Sequence, residues 1–229
     1  MNSFKKTALI PILCWIVSCS TIDERENPVS SELANADTAL LILDLQKDFF
    51  PGGKFELEGA EQAASRGKTV LEYFRKKEWP VIHVQHVSTR KGATFFFPGT
   101  AGVQMEESNG PIPGETILIK HTVNAFINTG LEEELKRKKV KKLVVYGMMT
   151  HMVVDSTVRA AFDLGYKDIT VIADACATKE LSFEKTKIPA SYVHASFLSG
   201  LGYIFAKIKT SSEFVQTPID LENYNKLIL

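Results

Sequence analysis

Hydrophobic residues in this chain gather into short blocks, and the blocks alternate between two spacings. Ala39-Leu40-Leu41-Ile42-Leu43 is an unbroken apolar run closed by Asp44. A run without polar interruption suits a strand covered on both faces, as inside a parallel sheet. Residues 58–77 then place Ala63, Ala64, Val70, Leu71 and Phe74 at helical spacing. Further apolar runs predict strands over 80–87, 117–119, 142–146, 168–173 and 206–210. Helices are expected between them, over 131–139, 152–164 and 189–206, with Gly165 stopping the second of these. Regular alternation of this kind predicts one α/β domain, with a mainly parallel six-stranded sheet and helices on both faces in a Rossmann-type three-layer arrangement. Such sheets bind ligands where their strands end. Asp44, Lys120 and the loop after Tyr146 all fall at such ends. The segment 88–115 has little periodicity, is rich in Gly and Pro, and carries Phe95, Phe96 and Phe97. A loop that long in a compact domain is usually functional, here as a pocket wall.

The two ends of the chain do not share this pattern. Lys5 and Lys6 precede an apolar run from Ala8 to Val17, too short for a bilayer span. A basic start, an apolar middle and a small-residue site make a secretory signal. Ile16-Val17-Ser18-Cys19 resembles a bacterial lipobox, which implies a signal peptide over 1–18 and lipid on Cys19. The alternative is an ordinary cleaved signal with a chance cysteine. Residues 19–37 are polar and lack periodicity, so they read as a linker able to span about 25 Å. The folded domain is then 38–216, and 217–229 a surface tail. On this reading the protein sits on the periplasmic side of a bacterial membrane, held through Cys19.

Composition removes several other classes. Lys and Arg total 27 against 27 for Asp and Glu, so the chain lacks the basic excess of a nonspecific nucleic-acid binder. Three cysteines cannot make a disulfide framework. No G-x-G-x-x-G follows the first strand, which argues against a dinucleotide fold. No cofactor is expected.

Four motifs carry the candidate chemistry. They are Asp44-Leu45-Gln46-Lys47-Asp48-Phe49, Lys120-His121-Thr122-Val123-Asn124-Ala125-Phe126, the stretch from Gly147 to Ala161, and Asp174-Ala175-Cys176-Ala177-Thr178. In this order and at these spacings they resemble the isochorismatase-like hydrolases, the cysteine hydrolase family that includes nicotinamidases and N-carbamoylsarcosine amidases. The likeness runs from about Ala39 to about Phe214. It implies strand order 3-2-1-4-5-6 and assembly as a homo-oligomer through helices flanking the site. It also implies a small-molecule ligand, Asp44 as proton acceptor, Lys120 as its cationic partner, and a cis peptide at Met148-Met149. The backbone amides of Met149 and residue 153 would hold an oxyanion. Metal-binding nicotinamidases carry an Asp-x-His…His pattern that is missing after Phe49, so no metal is expected.

The chain departs from that pattern at the decisive position. The family's nucleophilic cysteine falls at residue 153, which here is Val153. Valine excludes covalent thiol catalysis there, and loss of such a nucleophile can cost about 10⁶-fold in rate. Thr150, Ser156 and Cys176 are candidate replacements, each more simply explained by a turn or by packing. Isochorismatases proper hydrolyse a vinyl ether with an aspartate as acid and need no cysteine. Three readings therefore stand: a hydrolase acting on an amide, carbamoyl or vinyl-ether compound without covalent catalysis, a pseudoenzyme binding a small molecule or partner, and a structural role. Gln46, Phe49, His86 and Phe126 are the substrate-side candidates, although Gln46 and Asp48 are also suited to fixing their loop. Phe97 and Phe126 are further expected to wall an apolar pocket. His83 is expected in the core.

Overall fold

The computed structural model describes residues 37–216. The expected signal peptide, Cys19, most of the linker and the 217–229 tail lie outside the described residues. The sheet is built from β1 (Thr38–Leu43), β2 (Val81–His86), β3 (Thr116–Lys120), β4 (Lys142–Gly147), β5 (Asp168–Ile172) and a last strand, Lys207–Lys209. Helices α1 (Ala60–Lys76), α2 (Leu131–Arg137), α3 (Asp155–Asp163) and α4 (Ala190–Ile204) lie between strands. A small hairpin, β6 (Leu181–Phe183) with β7 (Thr186–Ile188), precedes α4, so the last sheet strand is β8. The short helix α5 (Ser211–Gln216) follows it.

The six-stranded sheet runs β3-β2-β1-β4-β5-β8 and every pairing in it is parallel. That is the expected fold and strand order. β1 has neighbours on both sides and all six of its residues are buried, which is why its sequence is apolar without a break from Ala39 to Leu43 rather than alternating. Neither the hairpin nor α5 is foreseen from the sequence. Each hairpin strand has three residues, and Glu184 takes the left-handed turn position at φ 54° where a glycine would have announced it. The helix expected from Met152 begins as an α-helix only at Asp155, because Thr150–Val154 forms one turn of π-helix.

Two buried polar clusters fasten the long loop between β2 and β3. The fully buried Tyr146 hydroxyl donates to Asn109 Oδ1 at 2.9 Å, and Asn109 Nδ2 donates to the Ala64 carbonyl of α1 at 3.0 Å. Near the loop's end, Glu115 is bound by Arg75 of α1 at 2.7 Å and lies 2.8 Å from His83 Nε2. His83 is in the core, as its sequence context predicts, and it has a polar partner there. Buried polar groups need such partners. Here they tie loop, helix and sheet into one unit.

Candidate active site

Four adjacent strands deliver the site. Asp44 directly follows β1, while β2 ends at His86, β3 at Lys120 and β4 at Gly147. Asp44 sits at φ 53°, a left-handed conformation that a non-glycine residue adopts at a cost. Its amide donates to the Val84 carbonyl at 2.9 Å, which holds the turn. Gly147 has φ 146°, and a Cβ there would lie 2.0 Å from the Leu43 carbonyl oxygen, so no side chain fits. This close approach seats Met148, whose amide donates to Leu43 O at 2.9 Å. The Met148-Met149 peptide is cis, as the resemblance implies. The π turn with Val153 follows directly.

Lys120 is 1% exposed, and its ammonium lies 2.7 Å from Asp44 Oδ2. It also donates to the Thr122 carbonyl at 2.9 Å and lies 3.0 Å from His86 Nδ1. An ammonium has three N–H groups, and these are three acceptors. Burial, and then the Lys120 charge, push His86 down to about 4, so the ring is neutral near pH 7 and accepts through Nδ1. Burial outweighs the attraction of Lys120 at Asp44 and raises its carboxyl to about 6. Asp44 Oδ1 is buried and has no hydrogen-bond partner among the described residues.

These groups border a cavity of about 250 Å³. Of the sequence candidates, Asp44, Phe49, His86, Lys120, Met149 and Val153 line it. Gln46 and Phe126 do not. Gln46 is fully buried, and its amide closes three hydrogen bonds: Nε2 to the carbonyls of His86 and Val103, both at 2.8 Å, and Oε1 from the His86 amide at 2.7 Å. Every contact it makes there is with protein backbone. Phe126 instead stacks on Tyr166. Phe97 is 41% exposed and borders a separate depression, whereas Phe95 and Phe96 form the aromatic wall with Phe49. Asp48 accepts from the amides of Phe96 at 2.6 Å and Lys54 at 3.0 Å, which fixes that wall.

Ser88, Arg90, Thr122, Val123 and Met152 also line the cavity, and sequence reasoning misses them. The rule that ligands bind at strand ends points at the first four, which follow β2 and β3. Cys176 is buried away from the cavity with its thiol pushed up to about 12 by burial, so it holds its proton near pH 7. Thr150 is fully buried and its hydroxyl is engaged by Ala177 O and His194 Nδ1. Ser156 does not line the cavity. None of the three proposed stand-ins for a cysteine at 153 is therefore on the wall beside Asp44.

Comparison with known proteins agrees with this architecture. The family model for the isochorismatase domain matches residues 38–191. The isochorismatase family protein YddQ of Bacillus subtilis is 44% identical over 179 residues, 78% of this chain and 99% of its own length. The crystal structure of an isochorismatase from Pseudomonas putida superposes with a TM-score of 0.73 at 32% identity, covering 78% of this chain and 90% of that one. N-carbamoylsarcosine amidase from Thermoplasma acidophilum shares the fold at 22% identity, with a TM-score of 0.65 over 77% of this chain and 97% of its own. By strand order, cavity and sequence, this chain belongs to the isochorismatase family.

Proposed function

We propose that the chain binds a small amide, carbamoyl or vinyl-ether compound in this cavity and hydrolyses it without a covalent intermediate. The observation that supports this most directly is Asp44 Oδ1, a buried, unpaired carboxylate oxygen in a residue on the cavity wall. An unpaired buried acceptor is costly, and a ligand or water that donates to it removes the cost. With an amide, water oxygen bonds to the carbonyl carbon while Asp44 takes a water proton. The carbonyl electrons move to oxygen, held by the backbone amides of Met149 and Val153. The C–N bond then breaks, and Asp44 returns the proton to the leaving nitrogen. With a vinyl ether, protonated Asp44 gives its proton to the alkene carbon, water adds to the resulting oxocarbenium ion and returns a proton to Asp44, and the C–O bond of the hemiketal then breaks to release an alcohol and a carbonyl compound. Lys120 stabilises the Asp44 carboxylate in both cases. Lipid on Cys19 keeps this activity at a membrane, on the likeness of residues 16–19 to a lipobox.

A second reading, binding without turnover, is favoured by Val153 itself, which is 2% exposed and offers no nucleophile. The test compares the unaltered chain with Asp44→Asn and Val153→Cys on small amides, carbamoyl compounds and isochorismate. Isochorismate is included because the Pseudomonas putida relative is described as an isochorismatase. Turnover by the unaltered chain that Asp44→Asn abolishes supports hydrolysis. Turnover by Val153→Cys alone supports the pseudoenzyme. Activity that survives in Asp44→Asn overturns the site assignment.

A further inference from the structure

The chain carries equal numbers of cations and acids, but the fold sorts them. Every position from Lys136 to Lys142 except Val140 is Lys or Arg. These residues form the end of α2, the turn after it and the start of β4, so they lie at the N-terminal end of the sheet, opposite the cavity. β1 enters at the same place. The Asp37 carbonyl accepts from the amides of Lys141 at 2.7 Å and Lys142 at 3.0 Å. On the other side of β1, α1 ends in Lys76 and is capped by Lys77 just before β2. Neighbouring strands lie about 4.8 Å apart. The two basic segments therefore flank the point where residues 1–36 join the domain.

Helix C-termini attract cations, and that accounts for part of the cluster. Lys136 pairs with Glu132, Arg137 and Lys138 with Glu134, and Lys142 lies 3.6 Å from Asp37. It does not account for Lys139 and Lys141, which lie past the helix. Lys139 takes φ 55°, a left-handed position that favours glycine or asparagine. Both are exposed, and among the described residues neither has a carboxylate partner; exposed Lys76 and half-buried Lys77 also lack one. Of the acids at this end, Asp168 pairs with Lys207 at 3.0 Å and Glu115 with Arg75, while exposed Glu78 and exposed Asp163, the last residue of α3, stand against the basic residues.

We propose that this end of the domain docks on an anionic phospholipid bilayer. Charge complementarity and the entry point of the N-terminal segment carry the inference, which is independent of the reaction assigned to the cavity. Each basic side chain at such a surface contributes roughly fivefold to partitioning. A basic patch adds an electrostatic hold to the lipid proposed on Cys19. Docked this way, the cavity opens away from the bilayer, about one strand length or 20 Å above it.

The full-length chain is mixed with vesicles of phosphatidylcholine alone and with vesicles of phosphatidylcholine and phosphatidylglycerol in equal parts. The N-terminal segment, with Lys5 and Lys6, is common to every sample, so the readout is the change between variants in the ratio of the two partition coefficients. The expected ratio is at least about tenfold. It should fall at least about tenfold in the double variant Lys139→Glu, Lys141→Glu, and fall for every sample at high salt, while the thermal midpoint holds. The control Lys68→Glu, at the middle of α1, should keep the ratio. A ratio near one in the unaltered chain, or an unchanged ratio in the double variant, overturns the proposal. So does transfer of the chain from anionic vesicles to duplex DNA at equal phosphate concentration, which would identify nucleic acid as the partner.

Discussion

At Asp44 two environments compete. Burial raises its carboxyl to about 6 even though Lys120 sits 2.7 Å away, and this sets the pH behaviour of the whole site. If Asp44 acts as base on water, it must be ionised, so amide turnover rises as pH passes upward through about 6. If it acts as acid on a vinyl ether, turnover falls over the same interval. A kcat/KM profile separates the two, and a flat profile between pH 5 and 7 would deny Asp44 either role. A Val153→Cys variant places a thiol in the π turn beside the Asp44–Lys120 pair, at a stability cost of about 1 kcal/mol for the lost methyl group. Amide turnover at least ~10³-fold above the unaltered chain is expected. Mass spectrometry of the quenched reaction should show an acyl adduct on residue 153. An adduct elsewhere, or no gain, would mean that the frame around residue 153 no longer supports thiol chemistry.

Between elements, side chains that bind backbone do more than their residue types announce. Gln46 clamps the end of β2 to the loop at Val103, and His86, which it holds, lies against the Lys120 ammonium. Gln46→Ala leaves the buried His86 amide without its acceptor and should cost about 2–4 kcal/mol in urea unfolding. A change within about 0.5 kcal/mol would show the clamp to be dispensable. Gly67 of α1 is a second case. A Cβ there would lie 2.5 Å from the Tyr146 ring, and Tyr146 is pinned by Asn109, so neither side yields. Gly67→Ala should destabilise by about 1–3 kcal/mol despite alanine's better helix propensity. A gain in stability would mean that the helix can ride outward. These contacts also mark the limit of sequence reading. β1 and Asp44 are legible because an apolar run must end somewhere polar, and Lys120 because its motif lies at a set distance. The Gln46 clamp and the Arg75–Glu115–His83 cluster join residues 32–57 positions apart with no local periodicity to betray them. The aromatic wall was expected from 88–115, but which phenylalanine turns inward depends on Asp48 holding the Phe96 amide.

Across the whole molecule, the parallel sheet imposes a polarity that a zero net charge conceals. Strand C-termini gather the cavity, and strand N-termini gather helix C-termini with their lysines. Alternation of period is enough to foresee the first, because the strand-end rule is general. The second needs the strand order, because Lys76 and Lys139 are far apart in sequence and come to the same end of the sheet only when β2 and β4 flank β1. This polarity makes the proposed lipid on Cys19 and the basic end separable contributors to membrane retention. Replacing Cys19 by Ala removes the acyl chains, each methylene of which is worth about 0.8 kcal/mol when buried, and leaves the lysines in place. The variant should move from the detergent-requiring fraction to a fraction released by salt alone, since screening acts within about 10 Å at 0.1 M. Adding Lys139→Glu and Lys141→Glu to Cys19→Ala should release the chain without salt. If Cys19→Ala still needs detergent, lipid on Cys19 is not the anchor. If Cys19→Ala is already free at low salt, the lysines do not hold the domain to the membrane, and the membrane-facing orientation of the fold falls with them.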